Sequence, residues 1–101
     1  GQSFAFNGYL PVKPPERAKA IKNLERRAHQ EHQSQIFIEA PYRNRQLLEA
    51  MVATCAPDTR ITVAVDITAP TERITTRTIA EWRRAMPDDL HKRPAIFIIG
   101  E

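Results

Sequence analysis

Two acidic residues stand where apolar, strand-like segments of the sequence end. These are Glu39 and Asp66, and ligands of α/β proteins gather outside the carboxyl ends of strands. If the two strands are neighbours, we expect these paired carboxylates to share one crevice. The alternative is that both are ordinary loop acids that pair with Arg43 and Arg73.

The other residue types that perform chemistry form no recognisable site. His29 and His32 lie near a predicted helix end, where the helix dipole favours solvated cations, and His91 stands apart. The single cysteine, Cys55, lies among apolar residues and is predicted to be a buried structural thiol. The chain has no Gly-x-Ser-x-Gly elbow and no Gly-rich phosphate loop. We therefore predict neither a metal site nor a complete active site.

The net charge of +3 is a mild excess that could favour a phosphate-rich partner. One basic set, on one face of the first predicted helix, is Lys19, Lys22 and Arg26. A second set is scattered over loops and element ends: Arg43, Arg45, Arg73, Arg77, Arg83, Arg84, Lys92 and Arg93. These residues contact phosphates if they converge, and otherwise they form a solvated surface with local acidic partners.

The hydrophobic pattern predicts a single α/β domain over residues 1–101. Apolar residues at helical spacing predict three helices, at 16–31, 44–55 and 79–86. Apolar or β-branched runs predict strands at 35–39, 60–66, 72–78 and 94–100. An extended segment at 2–10 precedes them, with Phe4, Phe6 and Tyr9 as apolar anchors. We therefore expect a mixed, mainly parallel sheet of about five strands flanked by about three helices.

Two local signals refine this picture. Thr78 and Glu81 have the spacing of a capping box, which predicts the start of the third helix. No segment approaches the ~20 apolar residues of a membrane span, and the N-terminus does not have the pattern of a signal peptide. We expect a cytoplasmic protein without a membrane partner.

Four stretches together carry a family resemblance. They are Phe-Asn-Gly-Tyr-Leu-Pro-Val-Lys at 6–13, Ile-Phe-Ile-Glu-Ala-Pro-Tyr-Arg at 36–43, Val-Ala-Val-Asp-Ile-Thr-Ala-Pro-Thr-Glu at 63–72, and Arg-Pro-Ala-Ile-Phe-Ile-Ile-Gly at 93–100. In order and spacing they resemble the C-terminal domain of the tetrapyrrole methylase superfamily, which are class III methyltransferases dependent on S-adenosylmethionine. Within it, the phrase at 8–13 followed by Arg17 most resembles the branch that methylates ribose 2′-hydroxyls of small-subunit ribosomal RNA.

The resemblance implies a cofactor cleft shared between two domains. Strand ends and backbone groups of this chain would bind S-adenosylmethionine: Glu39, Ala40, Ile67, Thr68, Pro94, Ala95 and Ile96. Tyr42, Arg43 and Asp66 would contact the substrate, and no catalytic base is assigned. The other wall would be the protein's own N-terminal domain, with a Gly-rich loop and an Asp-Pro that this chain lacks. The chain is thus expected to be an inactive piece of a methyltransferase.

Several alternatives stay open. The acceptor in the intact enzyme is ribosomal RNA or a tetrapyrrole ring, and family members often form homodimers. A different class of function is a free-standing basic module that binds nucleic acid without chemistry. A third is a dimerising scaffold that uses Trp82 and Phe97 as a partner surface, although both are better placed in a core.

Overall fold

The computed structural model describes residues 3–90 and 92–100, so the predictions for His91 and for the first two residues lie outside the described part. It contains five strands, β1 (Ser3–Tyr9), β2 (Gln33–Ile38), β3 (Arg60–Val65), β4 (Arg73–Thr78) and β5 (Ala95–Ile99). Three α-helices connect them, α1 (Pro14–Gln30), α2 (Asn44–Thr54) and α3 (Ile79–Arg84). A short 3₁₀ segment, Pro41–Arg43, precedes α2 and was not foreseen.

The five strands form one mixed sheet in the order β1-β2-β5-β3-β4. The predicted class, a single α/β domain with a five-stranded mixed sheet and three helices, is confirmed. The expectation of a mainly parallel sheet is wrong, because only β1 and β2 pair in parallel. The last strand enters between β2 and β3 in the opposite direction, and β4 returns antiparallel to β3 after a turn.

One face of the sheet carries the core. Phe37, Phe97 and Val63 are opposite one another in register on β2, β5 and β3, and the two phenylalanine rings stack with centroids 6.0 Å apart. Helix residues complete this core, including Leu47 of α2 and Trp82 of α3, whose indole N–H donates to the Ile61 carbonyl at 3.0 Å. Trp82 and Phe97 therefore belong to the core and not to a partner surface.

The other face of the sheet has no helix against it in the described residues. Successive side chains of a strand point to opposite faces, and Phe4 and Phe6 of the edge strand β1 point to this uncovered side. They are 60% and 68% exposed, and Tyr9 is 66% exposed. The prediction that these three residues are the apolar anchors of this segment is therefore wrong.

Helix α1 begins at Pro14, two residues earlier than predicted, because prolines are tolerated in a first turn that needs no N–H. Its apolar stripe is buried as expected. Two charged residues of this helix, Arg17 and Glu25, are buried as well, each only 6% exposed. Glu25 receives hydrogen bonds from the Ala56 amide at 2.7 Å and the Thr59 hydroxyl at 2.5 Å.

The smaller predictions about local structure are confirmed. Thr78 and Glu81 form both hydrogen bonds of the capping box at the start of α3. Cys55 is buried, and loss of solvation together with the nearby charge of Glu25 raises the pKa of its thiol to about 12. A thiol with such a pKa is protonated at neutral pH and therefore unreactive.

Candidate functional site

A pocket opens at one end of the sheet, where β2 and β3 end and the antiparallel β5 begins. Because β5 runs against its neighbours, its first residues meet the last residues of both. The cavity has a volume of about 340 Å³. Its lining residues are Tyr9, Ile38, Glu39, Pro41, Ala64, Ile67, Pro94, Ala95 and Ile96.

The structure brings together five of the seven residues that the resemblance assigned to the cofactor: Glu39, Ile67, Pro94, Ala95 and Ile96. Ala40 and Thr68, both within the described part, are not among the lining residues. Sequence reasoning missed Tyr9, Ile38, Pro41 and Ala64. Pairing register would have identified two of these, since Ile38 and Ala64 both pair with Ile96, but register depends on a strand order that the sequence does not reveal.

The pocket floor is apolar. Ile38, Ile96 and Ala64 lie side by side across three strands, which provides a surface for van der Waals contact with a flat or aliphatic group. Among the lining residues, Glu39 is charged and Tyr9 adds a phenol. The site can therefore hold a largely apolar ligand, but it supplies few groups that could move protons.

Glu39 is fixed by a compact ionic cluster. Its carboxylate accepts a hydrogen bond from the Ala40 amide at 2.7 Å and one from Arg43 Nε at 3.2 Å. Arg17 Nη2 lies 3.6 Å from the second carboxylate oxygen, and neither of these atoms has a hydrogen-bond partner in the described residues. The side chain of Glu39 is 1% exposed, so this cluster buries a charge and fixes the backbone that follows β2.

Arg43 and Tyr42 form the outer part of this cluster. The Arg43 guanidinium lies 4.6 Å from the centre of the Tyr42 ring and donates to its hydroxyl at 2.9 Å. Loss of solvation works against the charged form of Arg43, but the hydrogen bond and charge of Glu39 outweigh it and raise the Arg43 pKa. Tyr42 is 58% exposed, so the pair presents a cation and an aromatic face beside the pocket.

Asp66 sits at the end of β3 in a left-handed conformation, with φ of 51°. Its carboxylate accepts from the Thr71 hydroxyl at 2.8 Å and from Arg93 Nε at 2.9 Å, and these hydrogen bonds lower the Asp66 pKa. Strand β5 separates it from Glu39, and each acid has its own arginine. The conditional expectation of a shared crevice of paired carboxylates is therefore not met.

Two backbone amides of the predicted cofactor wall are already engaged within the chain. The Ala40 N–H donates to the Glu39 carboxylate and the Thr68 N–H to the Glu72 carboxylate, each at 2.7 Å. Thr68, with φ of 71°, belongs to a tight turn. The chain therefore offers a ligand an apolar wall more than a row of free amides.

Lys19, Lys22 and Arg26 lie together on one face of α1, as predicted, whereas several residues of the scattered basic set have partners within the chain. Arg73 binds Asp89 through two hydrogen bonds of 2.7 Å, and Arg93 binds Asp66 and Asp89. Arg83 donates to the Val52 carbonyl. The alternative of local partners thus holds for this part of the scattered basic set.

The histidines and other candidate ligands were also located. His29 and His32 are exposed at the end of α1 and just beyond it. Across residues 3–90 and 92–100, no three His, Cys, Asp or Glu side chains are grouped closely enough to hold a metal ion. Within the same ranges, no helix has the length and apolar character needed to cross a membrane.

Comparison with known proteins gives one relative in sequence and several in structure. No protein-family model matches the chain. Ribosomal RNA small subunit methyltransferase I of Haemophilus influenzae is 31% identical over 96 residues, which are 95% of this chain and 32% of that protein. The chain therefore spans about a third of the length of this relative.

The structural matches include the methyltransferase CobJ, with a TM-score of 0.58 and 20% identity over all of this chain and 42% of that one. Uroporphyrin-III C-methyltransferase from Thermus thermophilus, solved with S-adenosyl homocysteine, matches with a TM-score of 0.52 and 15% identity over 98% of this chain and 42% of that one. The fold that the sequence resemblance implied is confirmed.

Proposed function

We propose that this chain, which has the C-terminal-domain fold of the tetrapyrrole methylase superfamily, lines half of the S-adenosylmethionine cleft of a methyltransferase. The observation that carries the proposal is the pocket at the three strand ends, which contains Glu39, Ile67 and Pro94 to Ile96. Two independent likenesses support it. One matched structure was solved with S-adenosyl homocysteine, and the relative in sequence is a ribosomal RNA methyltransferase by name.

The pocket suits half of such a site. Its volume of about 340 Å³ lies near the lower end of the roughly 300–1,000 Å³ typical of small-molecule sites. Ile38, Ala64 and Ile96 offer apolar contact to the adenosyl or methionyl part, and Ile67 adds a further apolar side chain to the lining. Ligand pockets bury about 70–90% of a bound molecule, which a pocket open on one side cannot do. A second wall is therefore required.

The contribution of this chain to the reaction is positioning. When bound, the cofactor would supply an electrophilic methyl group on a sulfonium, and transfer of that methyl group to a nucleophile would release a neutral thioether. The rigid strand ends fix one side of the cofactor, and this geometry aligns the methyl group with the acceptor. The apolar floor excludes water from the same side. The Glu39–Arg43 ion pair fixes the loop that forms the adjacent wall.

In the intact enzyme the proposed acceptor is a ribose 2′-hydroxyl of ribosomal RNA. Arg43 and Tyr42, which follow the pocket residue Pro41, have the chemistry that RNA requires, a cation for phosphate and an aromatic ring for an unstacked base. Asp66 is a weaker candidate for substrate contact, since Thr71 and Arg93 already bind its carboxylate. The free-standing basic module receives little support because many of the arginines are paired locally.

A tetrapyrrole ring is the second candidate acceptor. It is favoured by the fold likeness to CobJ and to uroporphyrin-III C-methyltransferase. The intact enzyme should transfer a labelled methyl group from S-adenosylmethionine to isolated small ribosomal subunits and not to uroporphyrinogen. The reverse result would assign the tetrapyrrole, and transfer to neither would remove both acceptors.

The cofactor assignment has its own test. By titration calorimetry, the intact enzyme should bind S-adenosylmethionine, while these 101 residues alone bind it weakly or not at all. Micromolar binding by the isolated chain would show that the site is not shared between domains.

The remaining parts of the proposal concern assembly and compartment. We place the intact enzyme in the cytoplasm, where ribosomal subunits are assembled, as a homodimer. Sedimentation of the intact enzyme would test the dimer, and fractionation followed by immunodetection would test the compartment.

A further inference from the structure

The side of the sheet opposite the helices is a continuous apolar surface, here named the open face. Register and burial assign to it the side chains that alternate with the core residues. They are Phe4, Phe6, Tyr9, Ser34, Ile36, Ile38, Arg60, Thr62, Ala64, Ile74, Thr76, Thr78, Ile96 and Ile98.

The composition of the open face is unlike that of the chain. Arg60, at the start of β3, is the one charged residue among these fourteen, although charged residues make up 27% of the sequence. Phe4, Phe6 and Ile74 are 60%, 68% and 60% exposed. Contiguous apolar surface on this scale marks an interaction site. A single cation at the end of one strand provides little attraction for the phosphates of RNA.

The open face and the pocket share residues. Ile38, Ile96 and Ala64 form a row across the open face and are also the pocket floor. A wall that closes the pocket over this floor therefore meets the open face as well. Whatever completes the pocket is already placed to cover the neighbouring apolar side chains.

We infer that the open face is the docking surface for the rest of the same polypeptide, namely the domain that completes the cofactor pocket. This inference rests on the proposed function. Matched proteins are two to three times longer than this chain, so they contain enough additional polypeptide for such a domain. The pocket floor fixes which side of the sheet that domain occupies.

The size of the open face favours a linked domain over a second copy. Five strands ~4.8 Å apart and about five residues of ~3.3 Å each give a footprint of roughly 400 Å² per side. Both sides together bury about 800 Å², less than the roughly 1,200–2,000 Å² of stable complexes between separate proteins. This buried area lies within the roughly 600–1,500 Å² of interfaces between domains of one chain. Covalent linkage of the two domains removes most of the entropy that separate proteins lose on association.

Hydroxyl-radical footprinting of the intact enzyme tests the inference. Phe4 and Phe6 should be oxidised at least fivefold more slowly in the intact enzyme than in the isolated chain of 101 residues. In the intact enzyme, Phe6→Lys should speed proteolysis between the domains and return Phe4 to the rate seen in the isolated chain. The matched control is Val12→Lys, which replaces an apolar residue that is 52% exposed outside the open face and should change neither readout.

The outcomes separate this inference from the proposed function. If the intact enzyme binds S-adenosylmethionine while Phe6 is oxidised as fast as in the isolated chain, the docking surface is wrong and the cofactor assignment stands. If Phe6 is protected but the intact enzyme does not bind S-adenosylmethionine, the docking surface stands and the cofactor assignment is wrong. Protection that is lost when a dimer of the intact enzyme dissociates would assign the open face to a second copy and overturn the inference.

Discussion

Arg93 joins the end of β3 to the start of β5 through Asp66. Its Nε donates to Asp66 Oδ2 at 2.9 Å, and its Nη2 lies 2.8 Å from the same oxygen. Its Nη1 donates to Asp89 at 2.8 Å. Because Ile67 and Pro94 flank this pair in sequence and line the pocket, one guanidinium fixes the geometry of two pocket walls.

Arg93→Met should loosen these two walls. In the intact enzyme we expect the affinity for S-adenosylmethionine to fall about tenfold, an effect of about 1.4 kcal/mol on binding. Arg93→Lys should recover only part of it, because an ammonium lacks the planar fork of the guanidinium. Titration calorimetry measures both, with Lys19→Met on the solvent side of α1 as the control. Equal affinity in the wild type and Arg93→Met would contradict this role.

Glu25→Gln should destabilise the isolated chain by about 1–3 kcal/mol, since it weakens the hydrogen bonds that hold the loop after α2 against α1. Burial raises the Glu25 pKa, but the hydrogen bonds from Thr59 and Ala56 and the charge of Lys22 outweigh it and lower the pKa below 4.5. A lowered pKa means that the carboxylate contributes stability above its unfolded pKa of about 4.3 and loses it as the pH falls through the folded pKa.

The pH dependence supplies the check on Glu25. Urea unfolding followed by circular dichroism should show wild type and Glu25→Gln far apart at pH 7 and converging near pH 3. A gap that stays constant between these values would show that the effect does not come from the ionised carboxylate.

Thr78→Ala should remove the capping box at the start of α3 and cost about 1 kcal/mol of unfolding free energy. Thr78→Ser keeps the hydroxyl that accepts from the Glu81 amide and should retain most of the stability. Thermal unfolding of the three proteins measures the difference. If the serine variant is as unstable as the alanine variant, the methyl group and not the cap is responsible.

Ile67→Trp should crowd the pocket. In the intact enzyme, we expect at least a tenfold loss of affinity for S-adenosylmethionine with little change in the thermal midpoint, because Ile67 is 42% exposed and outside the core. Val12→Trp introduces the same side chain at an exposed apolar position away from the pocket and should leave binding intact. Ala95→Trp should also block binding but lies in β5, where it could disturb packing. Unchanged binding by the Ile67 variant would remove this wall from the site.

The sequence predicted the elements well because their signals are local. Helical spacing located α1 and α2, and the pair Thr78 and Glu81 located the start of α3 within one residue. Strand order was not predictable, because nothing local to 94–100 indicates that this segment inserts between β2 and β3. The exposure of Phe4 and Phe6 was not predictable for the same reason, because their position on an edge strand depends on the strand order. An edge strand with one uncovered face can have the same composition as a buried strand.

The candidate site was predicted to a similar extent. The ends of strands can be predicted from the positions at which apolar runs begin or end. These positions identified Glu39, Ile67 and Pro94 to Ile96 as pocket residues. Residues that join the pocket through pairing across strands were missed, as Ile38 and Ala64 show. The burial of Arg17 was missed because a basic residue on an amphipathic helix is normally solvated, and its partner Glu39 is 22 positions away.

The central position of β5 also determines when this domain can fold during synthesis. Without residues Ala95–Ile99, the sheet consists of two separate ladders, β1 with β2 and β3 with β4, and no hydrogen bonds join them. Isolated two-stranded ladders are marginally stable in water. The nascent domain therefore stays incomplete until β5 leaves the ribosome, and a deletion of residues Ala95–Ile99 would split the sheet in two.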